Sequence, residues 1–73
     1  MILWYVTLAG SGNCGIKAAD TKAEARKRAL ANYTPKERKE YHLKVESVRR
    51  ATQQDVDHVR IMGGRIPRGR IEA

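Results

Sequence analysis

Gly10, Gly12 and Gly15 spell G-x-G-x-x-G directly after an apolar run. That spacing lets a backbone approach a pyrophosphate at the start of a helix. The phosphate site also requires a helix that opens inside the motif. Here Ile16-Lys17-Ala18-Ala19 intervenes before the first good helix start, and 73 residues leave little room for a second parallel strand and a cofactor. The glycines are therefore expected in a turn between two strands, with a loop near Lys17 that holds a nucleic-acid phosphate as the alternative. Cys14 offers a thiol, and His42 or His58 a base, but no spacing unites them and no third group orients the base. His58 beside Asp55 and Asp57 offers weak metal ligation. The same acids suit the start of a helix, where the dipole favours negative charge. The expectation is a non-enzyme with no catalytic residue, no cofactor and no metal.

The other side chains with chemistry to offer are cations. They fall into three groups: Arg26-Lys27-Arg28, Arg49-Arg50, and Arg65 with Arg68 and Arg70. These eight are the candidate contacts to a partner or to nucleic acid, because a guanidinium pairs with phosphate or carboxylate in a planar, two-pronged way. Glu24, Glu37, Glu40 and Glu46 are interleaved among the first two groups and soften their field. The C-terminal group is the least diluted. Base stacking is poorly supplied, with one Trp, three Tyr and no Phe. No RRM-type aromatic motif, KH loop or zinc pattern is present, which argues against a sequence-reading RNA module.

The whole-chain arithmetic agrees. Fifteen Lys and Arg stand against eight Asp and Glu, a net charge of +7. Such an excess favours nucleic acid, an anionic lipid surface or an acidic patch on another protein. The charge is uneven: residues 1–16 carry none, while 17–50 carry eleven cations and five acids. The length excludes a multi-domain enzyme. One cysteine excludes an internal disulfide and suits the reducing cytoplasm. The apolar run at the N-terminus stops at Gly10, short of the roughly 20 residues a bilayer span needs, so no membrane association is expected. No Lys or Arg precedes that run, so it reads as a core strand and not as a signal peptide.

The elements that must position these residues follow from pattern. Ile2–Ala9 is rich in β-branched and aromatic types and predicts a central strand. Ile2, Trp4, Val6 and Leu8 share one face; Leu3, Tyr5, Thr7 and Ala9 share the other. Trp4 and Tyr5 are expected in the core. Ile16–Ala19 reads as a short return strand. Thr21 and Glu24 have capping-box spacing ahead of a helix over 22–32 whose Ala25, Ala29 and Tyr33 form a stripe with Leu30 beside it. Thr34-Pro35-Lys36-Glu37 starts one or two helical turns over 35–41. Leu43–Arg50 alternates as a strand, which puts Val45 and Val48 on opposite faces. Residues 53–62 fit a helix, capped by Thr52 and Asp55 and stopped at Gly63-Gly64, with Val56, Val59 and Met62 on its buried side. A hairpin with the preceding strand is the alternative. The fold class is α+β. The domain is expected over 1–64, with 65–73 as a mobile basic tail.

WYVTLAG, then GIKAADTKAEARKRALA, resembles the strand, glycine loop and T-x-x-E-A-x-x-x-A helix that open many small phage proteins. ATQQDVDHVRIMGGRIP is similar to their capped helix with a Gly-Gly-x-Ile-Pro exit. In size, basicity and lack of a catalytic motif the chain resembles the RNA-polymerase-binding transcription regulators of phage, in particular that of a Xanthomonas phage. The resemblance implies a monomeric protein of the bacterial host cytoplasm whose partner is the host RNA polymerase near its RNA exit channel. It implies inhibition of initiation and promotion of antitermination, with the arginines close to nucleic acid. A small nucleic-acid-binding module and another host-takeover protein, such as an anti-CRISPR inhibitor, are the alternatives.

Overall fold

The computed structural model describes residues 1–9 and 14–72. Three antiparallel strands form one sheet in the order β2-β1-β3, where β1 is Ile2–Ala9, β2 is Cys14–Ala19 and β3 is Lys44–Arg50. Helices α1 (Lys22–Ala31) and α2 (Pro35–Glu40) separate β2 from β3, and α3 (Gln53–Ile61) follows β3. The fold is α+β. Gly10 and Gly12 lie outside the described residues. Cys14 and Gly15, expected in the turn, instead open β2, with Cys14 opposite Thr7 and Gly15 opposite Val6. A strand antiparallel to β1 follows the glycines, where the dinucleotide motif requires a helix.

The uncharged β1 is explained by its place at the centre, with apolar cover on both faces. Trp4, Val6 and Leu8 pack with Ala19, Ala25, Ala29, Val45 and Val48 under α1. Leu3 packs on the opposite face with Ile16, Ala18, Ala51, Val56 and Val59 under α3. The alanines of α1 let the helix axis lie close to the sheet. Trp4 is buried, and its indole N–H donates to the Ala19 carbonyl at 3.0 Å, so no polar atom is stranded. Tyr5 is only half-buried, at the rim of the second layer and not within it.

Simple alternation fails in β3. Thr7 faces Ser47, yet Leu8 faces Val45, so Glu46 is an extra residue in the ladder. This bulge resets the side-chain parity. Val45 and Val48 consequently both enter the α1 layer, where strict alternation had placed them on opposite faces.

Each helix begins on a threonine. The Thr21 hydroxyl accepts the Glu24 N–H at 3.2 Å, but the Glu24 carboxylate turns to Arg28, so only half of the expected box forms. Thr34 with Glu37 and Thr52 with Asp55 form complete boxes. The second of these settles 53–61 as helix.

The segment after Gly64 is not the detached tail expected from its composition. Ile66 packs on the α3-side cluster. The Arg70 N–H donates to Met1 O at 3.0 Å, and the Leu3 N–H donates to Arg70 O at 2.8 Å. Arg70 thereby pairs in parallel with Ile2, just beyond the end of β3. The uncovered N-terminal backbone of β1 supplies the hydrogen-bonding groups that draw this segment in. Among the described residues no helix is long and apolar enough to cross a membrane.

Candidate functional site

The cations fall into two structural classes. Arg28, Arg49 and Arg70 are held by the fold. Arg28 donates to the Ala18 carbonyl at 2.8 Å and to Glu24 at 2.7 Å, tying α1 to the end of β2. Arg49 lies over the Tyr5 ring, 4.6 Å from its centroid, and grips Asp55 with both terminal nitrogens at 2.6 and 2.8 Å. This fork fixes the first turn of α3 to the sheet. The Arg49 guanidinium, helped by the Thr52 N–H and hydroxyl, holds the Asp55 carboxyl down at about 2 against the opposing effect of burial. A hydrogen bond to Cys14, together with partial burial, pushes the Tyr5 phenol above its ordinary value. Arg70 docks through its backbone and reaches Glu72 at 3.2 Å.

Arg26, Lys27, Arg50, Arg65 and Arg68 project into solvent. Arg26 and Lys27 line a groove between α1 and the outer side of β3, which Lys22 joins from the preceding turn. Leu30 and Val48 floor this groove, and Glu46 stands on its strand side. Arg65 lies apart from them. It shares a second groove, beside β2, with Lys17, Arg28 and Pro67. Arg68 lines a third cleft with Arg60 and Gln53. Arg50 ends the edge strand opposite Trp4. The seven arginines and one lysine therefore do not form one continuous site.

Two apolar side chains complete the surface. Ile61 is 86% exposed and Met62 is 72% exposed. Met62 was expected on the buried side of the helix; instead the helix ends there and releases it. The end is well defined. The Gly63 N–H donates to Arg60 O at 3.1 Å and the Gly64 N–H to Val59 O at 2.9 Å, with Gly63 at φ 83. This pair of bonds is the Schellman closure. It presents Ile61 and Met62 between Arg60 and Arg65 along the chain. A sequence signal for Ile61 existed, since it lies off the Val56–Val59 stripe. Lys22 had one too, four residues before Arg26 on the same helix face.

Among the described residues no three His, Cys, Asp or Glu side chains gather at metal-binding distance. The exposed side chains offer cations for anionic groups and apolar surface for a hydrophobic pocket. Comparison of the chain with protein-family models, curated proteins and solved structures returns no match.

Proposed function

We propose that this protein is a non-catalytic regulator that docks on bacterial RNA polymerase in the host cytoplasm, where it inhibits initiation and promotes antitermination. The observation that carries the docking mode is the exposed Ile61–Met62 pair at a helix end closed by two backbone hydrogen bonds, flanked along the chain by Arg60 and Arg65. Large exposed apolar side chains rimmed by arginine are the usual composition of a protein-binding anchor. Support for polymerase as the partner comes from the resemblance of the chain to phage polymerase-binding regulators. The basic side chains that fold-internal contacts leave free suit a partner that carries nucleic acid.

The test is capture from bacterial lysate on the immobilised full chain. Polymerase subunits are expected to be retained at moderate salt and to resist nuclease treatment. The exposed-site variants Ile61→Asp and Met62→Asp should fold normally and lose about tenfold or more of that retention. Absence of polymerase subunits overturns the reading. Retention that nuclease abolishes replaces it with the nucleic-acid-binding reading.

A further inference from the structure

We propose that the groove between α1 and β3 binds an extended acidic peptide segment, which adds to the sheet as a fourth strand along the edge of β3. Three observations converge there. β3 is an edge strand, paired only with β1 among the described residues; of its outer groups the Arg50 carbonyl accepts from Arg49 Nη1 at 3.5 Å, and the others offer themselves to a new strand. Beside that edge α1 forms a wall, and Leu30 and Val48 offer an apolar floor for alternate side chains of the incoming strand. Lys22, Arg26 and Lys27 overhang the groove, three cations against the lone carboxylate of Glu46.

The charge pattern selects the occupant. Edge lysines and arginines guard a strand against copies of its own basic chain, and a second copy would bring another +7 to this groove. The same residues attract an acidic strand. Glu46 discriminates further: a nucleic-acid backbone is anionic at every step and must face it, whereas a peptide can place a neutral or basic residue there. The bulge at Glu46 sets one limit of regular pairing, so the new strand aligns along Ser47–Arg50. This groove uses the α1 side of the sheet, and the Ile61–Met62 anchor belongs to the helix on the other side. Its test therefore stands apart from polymerase capture.

The probe is a labelled peptide of alternating glutamate and valine, titrated into the full chain at low salt. Saturable binding is expected, with changes in the backbone amide NMR signals of Ser47–Arg50 and slowed hydrogen exchange at Val48 and Arg50, whose N–H groups point away from β1. Lys22→Glu and Arg26→Glu, both at exposed positions, should each weaken binding about tenfold while leaving the unfolding midpoint in place. A peptide of the same sequence with alternate backbone N-methyl groups keeps the charge and loses the strand donors. It should bind about tenfold more weakly. Equal binding of the methylated peptide overturns strand addition. So does the absence of saturation up to about 1 mM, or signal changes confined to the end of α3. An oligothymidylate that displaces the peptide and binds more tightly at the same amides assigns the groove to polyanions instead.

Discussion

At the scale of single residues, Asp55 does two jobs. It closes the Thr52 capping box, accepting the Thr52 N–H at 2.8 Å, and it receives both prongs of Arg49. Its carboxyl is held at about 2 in the folded chain, against an ordinary value of 3.8. A carboxylate with a depressed folded-state value stabilises the fold above its unfolded value, and that contribution is lost as pH falls through the folded one. The loss therefore falls between about pH 4 and pH 2. Arg49 is half exposed, with 52% of its side chain accessible, so solvent screening reduces the effect. Asp55→Asn should cost about 1–2 kcal/mol at neutral pH. Urea unfolding across the acid range should show the wild-type advantage fading by about pH 2; a pH-independent difference would refute the ionic account. His42 presents the reverse case. It ends α2 at φ 53, with the Leu43 N–H bonded to Arg38 O in the closure that glycine normally provides. His42→Gly should leave stability unchanged or raise it by up to about 1 kcal/mol, read from the denaturation midpoint.

At the scale of elements, the C-terminal segment is the part whose role its own residues conceal. Arg65-Ile66-Pro67-Arg68-Gly69-Arg70 reads as solvated chain, because its pattern shows neither alternation nor helical period. Its partner is the N-terminal end of β1, where β3 has already ended and backbone groups need filling. That vacancy depends on strand lengths and register, which no local pattern encodes. The bulge at Glu46 was hidden for the same reason: it exists in the pairing of two strands and not in either one. The threonine caps, the uncharged central strand and the alanine stripe were legible, because each is a local rule acting over three to eight residues. Met62 was missed as part of a site because its spacing from Val59 reads as core, and Ile61, off that stripe, carries no charge or motif that would single it out. Deleting 65–73 removes the Ile66 packing and two backbone hydrogen bonds, and should cost about 2–4 kcal/mol. In a domain this small, with roughly 3–5 kcal/mol to lose, that approaches unfolding. Gly69→Ala probes the contact more gently. Its Cβ would lie 2.7 Å from Leu3 Cδ2 and 3.1 Å from the Met1 carbonyl oxygen. Faster amide exchange at Leu3 and a lowered midpoint are expected. An unchanged midpoint in both variants would mean the segment carries no stability.

At the scale of the whole molecule, the excess of positive charge has opposite consequences for folding and for binding. Among the described residues Arg28, Arg49 and Arg70 sit in carboxylate ion pairs, out of fifteen lysines and arginines. The remaining cations share one small body with a net charge of +7. Their mutual repulsion opposes the compact state and eases as the chain unfolds. Salt screens both this repulsion and the few attractive pairs, and exposed pairs contribute little to begin with. The repulsive excess decides the sign, so raising sodium chloride from low to physiological strength should raise the melting temperature. About 1 kcal/mol of relief corresponds to roughly 4–8 °C for a domain of this size. Binding to an anionic partner must move the other way, because association releases counterions and salt returns them. The same titration should therefore stabilise the free protein while loosening its complexes. Thermal melts and partner-binding curves recorded over one salt series measure both slopes. A melting temperature that falls with salt would show that the internal ion pairs outweigh the repulsion. Binding that ignores salt would place the affinity in the Ile61–Met62 anchor and not in the arginines.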